Sequence, residues 1–249
     1  MKFARTKELE RIAHSYHLNE DVPDKFIEDI CQEHCCQWLS SLILPSDHVV
    51  ELGYGEGITL DRLAHLADHY TIVEGAPSLV DVVKQKHPDV EVVNSLFETY
   101  SPSQPCDKLL ALHVFEHVDD PVELGRHLRN WVKPDGEIIV IVPNRASLHR
   151  RLAVLMGLTS DLDSLSSRDQ LVGHQRVYDI DGLEVDLREA GFEPFERRGF
   201  FLKTLPNSMM LDHKPELIKA LNLLGDQLPV EIAANISVRA RLKSDWNRF

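Results

Sequence analysis

The chain has 249 residues, 43% hydrophobic and 27% charged, enough for a substantial core in one domain. Forty acids against 27 Lys and Arg leave a formal charge of −13, which disfavours a nucleic-acid partner, because phosphate binding draws on a basic face. No apolar run approaches the roughly 18 residues of a membrane span. The charged N-terminal stretch MKFARTKELERIAHSYHLNED lacks a signal-peptide core, so the expected location is the cytoplasm.

Residues 1–45 read as two helices, with Pro23 in the first turn of the second. That second helix carries Ile27, Cys31, Cys35, Trp38 and Leu39 at helical spacing, which puts its cysteines on or beside a buried stripe. Cys31 and Cys35, with His34 between them, invite a metal reading. No second ligand pair with zinc spacing accompanies them, so the expectation is core packing and no metal. From residue 48 short apolar runs alternate with helical periodicity. HVVEL precedes a helix with Leu60, Leu63, Ala64 and Ala67 on one face, and YTIVE precedes one that starts at Pro77. VEVV leads into a loop. DKLLAL leads to Asp119-Asp120-Pro121, a cap and first-turn signal for a helix with Leu124, Leu128 and Trp131. EIIVIV, after the turn KPDG, is apolar on both faces. Such runs separated by helices predict an α/β doubly wound parallel sheet. Beyond Pro143 come a helix (Leu148, Leu152, Leu155, Met156), a Ser/Asp-rich loop, the segment GHQRVYD, and a helix that Gly191 would cap. NISVRARLK alternates Ile236, Val238, Ala240 and Leu242 with polar residues, which predicts an antiparallel strand with one covered face.

The run VVELGYGEGITL places Gly53, Gly55 and Gly57 directly after a strand and before a helix. Backbone N–H groups and a helix N-terminus meet a ligand's negative group in such a turn. The third glycine of a dinucleotide fingerprint would fall on Ile58, which disfavours a nicotinamide dehydrogenase. Glu74 closes the next strand, where an acid can accept both hydroxyls of a ribose.

VVELGYGEGITL, TIVEGAPSLV, SLFETYSPSQPCDKLLALHVFEHVDDP and VKPDGEIIVIVPNRASLH resemble, in this order, the successive motifs of class I S-adenosylmethionine-dependent methyltransferases. The nearest likeness is to the broad group that includes the ubiquinone-biosynthesis methyltransferases, close over residues 45–145 and loose over 174–200. The resemblance implies a Rossmann-like seven-stranded sheet, mostly parallel with one antiparallel strand, and S-adenosyl-L-methionine as cofactor. It implies one domain over 1–249: a helical cap at 1–45, a cofactor-binding core at 46–145, a lid or substrate insertion at 146–180, and completion of the sheet by 181–249. Carried over by position, Glu51, Gly53, Tyr54, Gly55 and Gly57 would surround the methionine moiety, and Glu74, beside Gly75, the ribose. Ser95, Leu96 and Phe97 would flank the adenine, and His113 would lie near the reactive methyl. Leu96 stands where many members have Asp, so the adenine amino contact has to come from backbone or elsewhere. Glu51 has a second reading, as an acceptor for the loop's own N–H groups, and Tyr54 and Phe97 have one as ordinary packing.

Methyl transfer from a sulfonium is an in-line displacement, and an alcohol or ammonium acceptor must lose a proton, most often to histidine. His113, His149 and His174 are the candidates, with His174 preferred as base. His117 reads as structural, and its four-residue spacing from His113 does not make a zinc-protease pair. Asn144 and Arg145 follow the fifth strand, while His174, Arg176 and Tyr178 would share one side of an extended segment. These are candidate substrate contacts, and the two arginines would suit a carboxylate. Salt bridges from this cluster to the acidic 161–169 loop are the competing reading. The leading expectation is transfer to O or N of a small, anionic acceptor, with no nucleic-acid or membrane partner. The alternatives are a macromolecular acceptor (protein or RNA) and a silent cofactor-binding module. Oligomeric state is open, a homodimer included.

Overall fold

The computed structural model describes residues 2–244. Seven strands make one sheet: β1 (His48–Leu52), β2 (His69–Glu74), β3 (Glu91–Asn94), β4 (Cys106–Leu112), β5 (Val132–Pro143), β6 (Phe192–Phe200) and β7 (Asn235–Leu242). Their order is β3-β2-β1-β4-β5-β7-β6. The first five pair in parallel, and β7 runs antiparallel to both β5 and β6. This is the doubly wound, mostly parallel sheet that the apolar runs predict. Val49, Val50, Leu109, Leu110 and Ile138–Val142 are buried, as strands covered on both faces must be. The strand order reverses between β1 and β4, which opens a crevice beyond the carboxyl ends of those two strands.

The helices are α1 (Lys2–Ile12), α2 (Lys25–Ser40), α3 (Ile58–Leu63), α4 (Pro77–Lys86), α5 (Pro121–Leu128), α6 (Leu148–Leu155), α7 (Ser167–Val172), α8 (Ile180–Glu189) and α9 (Pro215–Gly225). The Asp120 carboxylate accepts from the Glu123 N–H at 2.9 Å, so α5 begins where its cap signal lies. Pro23 falls outside α2, before the N-cap Asp24, whose side chain makes no capping bond and pairs instead with Arg168 and Asn207. The strand β7 also departs from expectation. It is an interior strand, so Asn235–Val238 are buried on both faces and alternation survives only toward its end. Inside the Ser/Asp-rich stretch, Ser166 and Asp169 form a reciprocal capping box that starts α7.

All four cysteines are buried free thiols, and Cys31 and Cys35 pack with Ile27, Phe200, Phe201 and Met210. Among the described residues no helix is long and apolar enough to cross a membrane.

Candidate functional site

Gly53, Gly55 and Gly57 have φ of +82°, +54° and +83°, backbone that side-chain-bearing residues rarely adopt. A Cβ on Gly55 would meet nothing within 4 Å, whereas one on Gly57 would collide with the Tyr54 ring. The turn therefore needs glycine at Gly57 for its own packing, and Gly55 presents bare backbone to open space. Glu74 is 6% exposed and ties the turn down: its Oε2 accepts from the Tyr54 N–H at 2.9 Å and its Oε1 from the Ala76 N–H at 2.6 Å. Burial raises the Glu74 pKa, against the pull of those two N–H groups. The loop-holding role considered for Glu51 thus falls to Glu74. Glu51 instead accepts from the Tyr70 hydroxyl at 2.7 Å, and burial pushes it up to about 8.

Glu51, Gly53, Tyr54, Gly55 and Glu74, with Gly75, Ser95, Leu96 and Phe97, line one end of a cavity of about 1040 Å³, whereas Gly57, predicted to join them, shapes the turn without lining it. Single-ligand pockets run to about 300–1,000 Å³, so this one has room for a nucleoside cofactor and a small second molecule. Residues of α1, α2 and the α7 region form much of its wall. Leu9 lies where a Cβ on Gly75 would come within 2.5 Å of its Cδ1, and Ile12 stands in the same relation to Gly173 at 2.8 Å. Arg5 donates to the His117 carbonyl at 2.6 Å, and Glu10 accepts from the Ser78 N–H at 2.7 Å. The glycine turn, the open backbone at Gly55 and a buried strand-end carboxylate fit S-adenosylmethionine. Its nucleoside end would rest on Glu74, Leu96 and Phe97.

His113, His149 and His174 all line this cavity. His113 has a left-handed backbone (φ +57°), and its Nδ1 lies 3.2 Å from Glu116 Oε1. Burial disfavours the charged ring, but the Glu116 carboxylate outweighs it and raises the pKa. The Asp169 carboxylate holds His174 Nδ1 at 2.9 Å, and Nε2 lies 3.9 Å from Glu116 Oε1. The other Glu116 oxygen, wholly buried, has no hydrogen-bond partner. His117 stacks edge-on against His174 at 4.6 Å, and burial lowers it to about 4. Burial also lowers His149 far below its ordinary value, and its Nδ1 has no hydrogen-bond partner. Ligand atoms of Glu116, His117 and His174 lie within 4.8 Å of one another, a donor set that would accept a divalent cation. Asp169 behind His174 is equally the support of an oriented base.

The other candidate substrate residues do not line the cavity. Asn144 is buried and donates to the carbonyls of Glu231 and Ala233. Arg145 pairs with Asp179 and Asp163, both at 2.5 Å. Arg176 donates to the carbonyls of Phe115, Val118 and Asp119, and the Tyr178 hydroxyl donates to Asp186 at 2.8 Å. The chain from His174 to Tyr178 is not a strand, so its three polar side chains diverge instead of sharing one side. With both arginines occupied, the argument for an anionic acceptor falls. The cavity wall instead carries Asp24, Glu28, Arg168, Lys203 and Asn207, residues for which the sequence offers no motif.

The sheet order and the glycine turn with its strand-end acid define a class I S-adenosylmethionine-dependent methyltransferase. The chain belongs to the methyltransferase domain family, whose model matches residues 26–196. It is 25% identical over 148 residues to the mitochondrial ubiquinone biosynthesis O-methyltransferase of Schizosaccharomyces pombe, covering 56% of this chain and 51% of that protein. The chain thus spans about half the length of this curated relative. Among solved structures, a Thermotoga maritima S-adenosylmethionine-dependent methyltransferase, described as a possible histamine N-methyltransferase, matches with a TM-score of 0.62 at 17% identity, covering 93% of this chain and all of that one. The Burkholderia thailandensis 1,6-didemethyltoxoflavin-N1-methyltransferase, solved with its substrate and S-adenosylhomocysteine, matches with a TM-score of 0.59 at 14% identity, over 97% of this chain and 89% of that one.

Proposed function

We propose that the protein transfers a methyl group to an oxygen or nitrogen atom of a small molecule held in this cavity. One observation carries this reading: Gly53, Gly55, Glu74 and the three histidines line a single cavity walled by α1, α2 and the α7 segment. A protein or RNA acceptor would have to reach past those helices. The Burkholderia structural neighbour, a methyltransferase of the small molecule 1,6-didemethyltoxoflavin, supports the same reading.

S-adenosylmethionine, when bound, supplies the electrophilic methyl group. Gly53, Gly55 and Glu74 hold and orient the cofactor, and Leu9, Ile12 and Val172 add apolar wall to the cavity. His174 takes the acceptor's proton, because Asp169 fixes its Nδ1 and leaves Nε2 as the acceptor. His113, whose ring nitrogen is engaged by the Glu116 carboxylate that raises its pKa, serves to position. His149, whose basicity burial lowers far below the ordinary imidazole's, is the third choice.

The test is S-adenosylhomocysteine release with small acceptors, against methyl incorporation into protein and RNA. A general base contributes about 10²–10⁴-fold, so His174→Ala should lose at least the lower figure and Asp169→Asn part of it. Turnover should survive a chelator. Loss of turnover in the chelator would instead assign Glu116, His117 and His174 to a metal, and methyl incorporation into macromolecules alone would refute the small-molecule reading.

A further inference from the structure

The wall facing the acceptor is assembled from three distant parts of the chain: Asp24 and Glu28 at the start of α2, Arg168 on α7, and Lys203 with Asn207 after β6. Each cation there already has an anion. Arg168 pairs with Asp24 and also donates to the Tyr16 hydroxyl, Lys203 Nζ lies 3.1 Å from Glu28 Oε1, and Arg150, nearby, lies 2.6 Å from Asp169 Oδ2. Asn207 is 7% exposed, and its Nδ2 donates to Asp24 Oδ2 at 2.9 Å and Glu28 Oε1 at 2.7 Å. Two carboxylates can only accept, so they decide the orientation of this amide. Asn207 Oδ1 is therefore the oxygen that turns away, and it has no hydrogen-bond partner. Both bonds to Glu28 fall on Oε1, which leaves Oε2 outside them, on a cavity-lining side chain that is 31% exposed.

What this wall lacks is an unpaired cation. Around the whole cavity stand nine carboxylate side chains and four of Lys or Arg. Burial first, and the neighbouring Glu56 carboxylate second, push Asp29 up to about 6. A carboxylate ligand would have to break an existing ion pair to find a positive group, and would leave a buried charge unpaired. An ammonium would satisfy Asn207 Oδ1 and Glu28 Oε2 without breaking any pair.

From this geometry we propose that the methyl acceptor is a small amine, bound as its ammonium by Glu28 and Asn207 before transfer. The proposal rests on the small-molecule reading above. The ammonium gives one proton to His174 Nε2, the freed nitrogen lone pair forms the N–CH₃ bond, and the cofactor's S–CH₃ bond breaks to leave the neutral thioether. The surplus proton leaves to solvent from His174 after release.

The experiment uses the full chain and S-adenosylmethionine with matched small scaffolds carrying an amine, a hydroxyl or a carboxylate at the same position. Release of S-adenosylhomocysteine is the readout. A site with unpaired buried acceptors discriminates against a ligand without the matching donors by about 10-fold or more, so the amines should lead in kcat/KM by at least that factor. Glu28→Gln should raise KM for the amine about 10-fold while its affinity for S-adenosylhomocysteine, read by calorimetry, stays unchanged and confirms the fold. Hydroxyl or carboxylate members that turn over as well as the amines would overturn the amine assignment and leave the small-molecule reading standing. No turnover of any series, with methyl incorporation into protein or RNA, would overturn both.

Discussion

Glu74→Gln is the sharpest probe of the cofactor end, because the change is isosteric and every partner of the carboxylate is known. Glu74 spends one oxygen on the Tyr54 N–H and the other on the Ala76 N–H. Glutamine keeps one acceptor and turns an NH₂ group toward the other N–H, donor against donor. Hydrogen bonds to a charged group are worth about 1.5–3 kcal/mol each, so the ligand-free protein should lose one such bond and melt lower. On cofactor binding the two ribose hydroxyls should lose a charged acceptor as well, a further loss of about 1.5–3 kcal/mol. At tenfold per 1.4 kcal/mol this is a Kd weaker by about 10- to 150-fold. Calorimetric titration with S-adenosylhomocysteine, paired with a thermal melt, reads both effects. A Kd within about threefold of wild type in a variant that melts normally would refute the placement of the ribose on Glu74.

Gly57→Ala forces a side chain into left-handed backbone, at about 1–2 kcal/mol, and displaces the Tyr54 ring, so the melting temperature and cofactor affinity should fall together. An unchanged melt would mean that the turn is looser than drawn. The pH dependence of stability has two limbs. His117, lowered to about 4 from 6.5, is neutral in the fold, so its contribution is present above 6.5 and lost as pH falls toward 4. Glu51, raised to about 8 from 4.5, holds its proton in the fold, so its contribution is present below 4.5 and lost as pH rises through 8. Chemical denaturation across this range should show Glu51→Gln losing less stability than wild type on the alkaline side, and equal slopes would remove Glu51 as the cause.

The sheet and the cofactor turn were legible because their signals are local. A run buried on both faces such as Ile138–Val142 is apolar throughout, and a glycine turn declares itself within five residues. Glu74 was legible from its place at a strand end. The acceptor wall was not, because Asp24, Glu28, Arg168, Lys203 and Asn207 are up to 183 positions apart and meet only through the packing of α2, α7 and the chain after β6. Arg145 and Arg176 misled for the opposite reason. An arginine just past a strand or in a lid segment suits a ligand, but Asp179 and three backbone carbonyls lay nearer and claimed them. The role of Asp169 could have been read from the Ser166-x-x-Asp169 spacing, which marks the helix start that carries it beside His174.

Helix α1 touches both halves of the cavity at once. Leu9 lies over Gly75 on the nucleoside side, Ile12 lies over Gly173 beside His174, and Arg5 and Glu10 pin the helix at either flank. Because one helix packs against both the glycine-turn side and the histidine side, its undocking would widen both ends of the cavity together. A turnover limited by that motion would be the same for fast-reacting and slow-reacting acceptors alike.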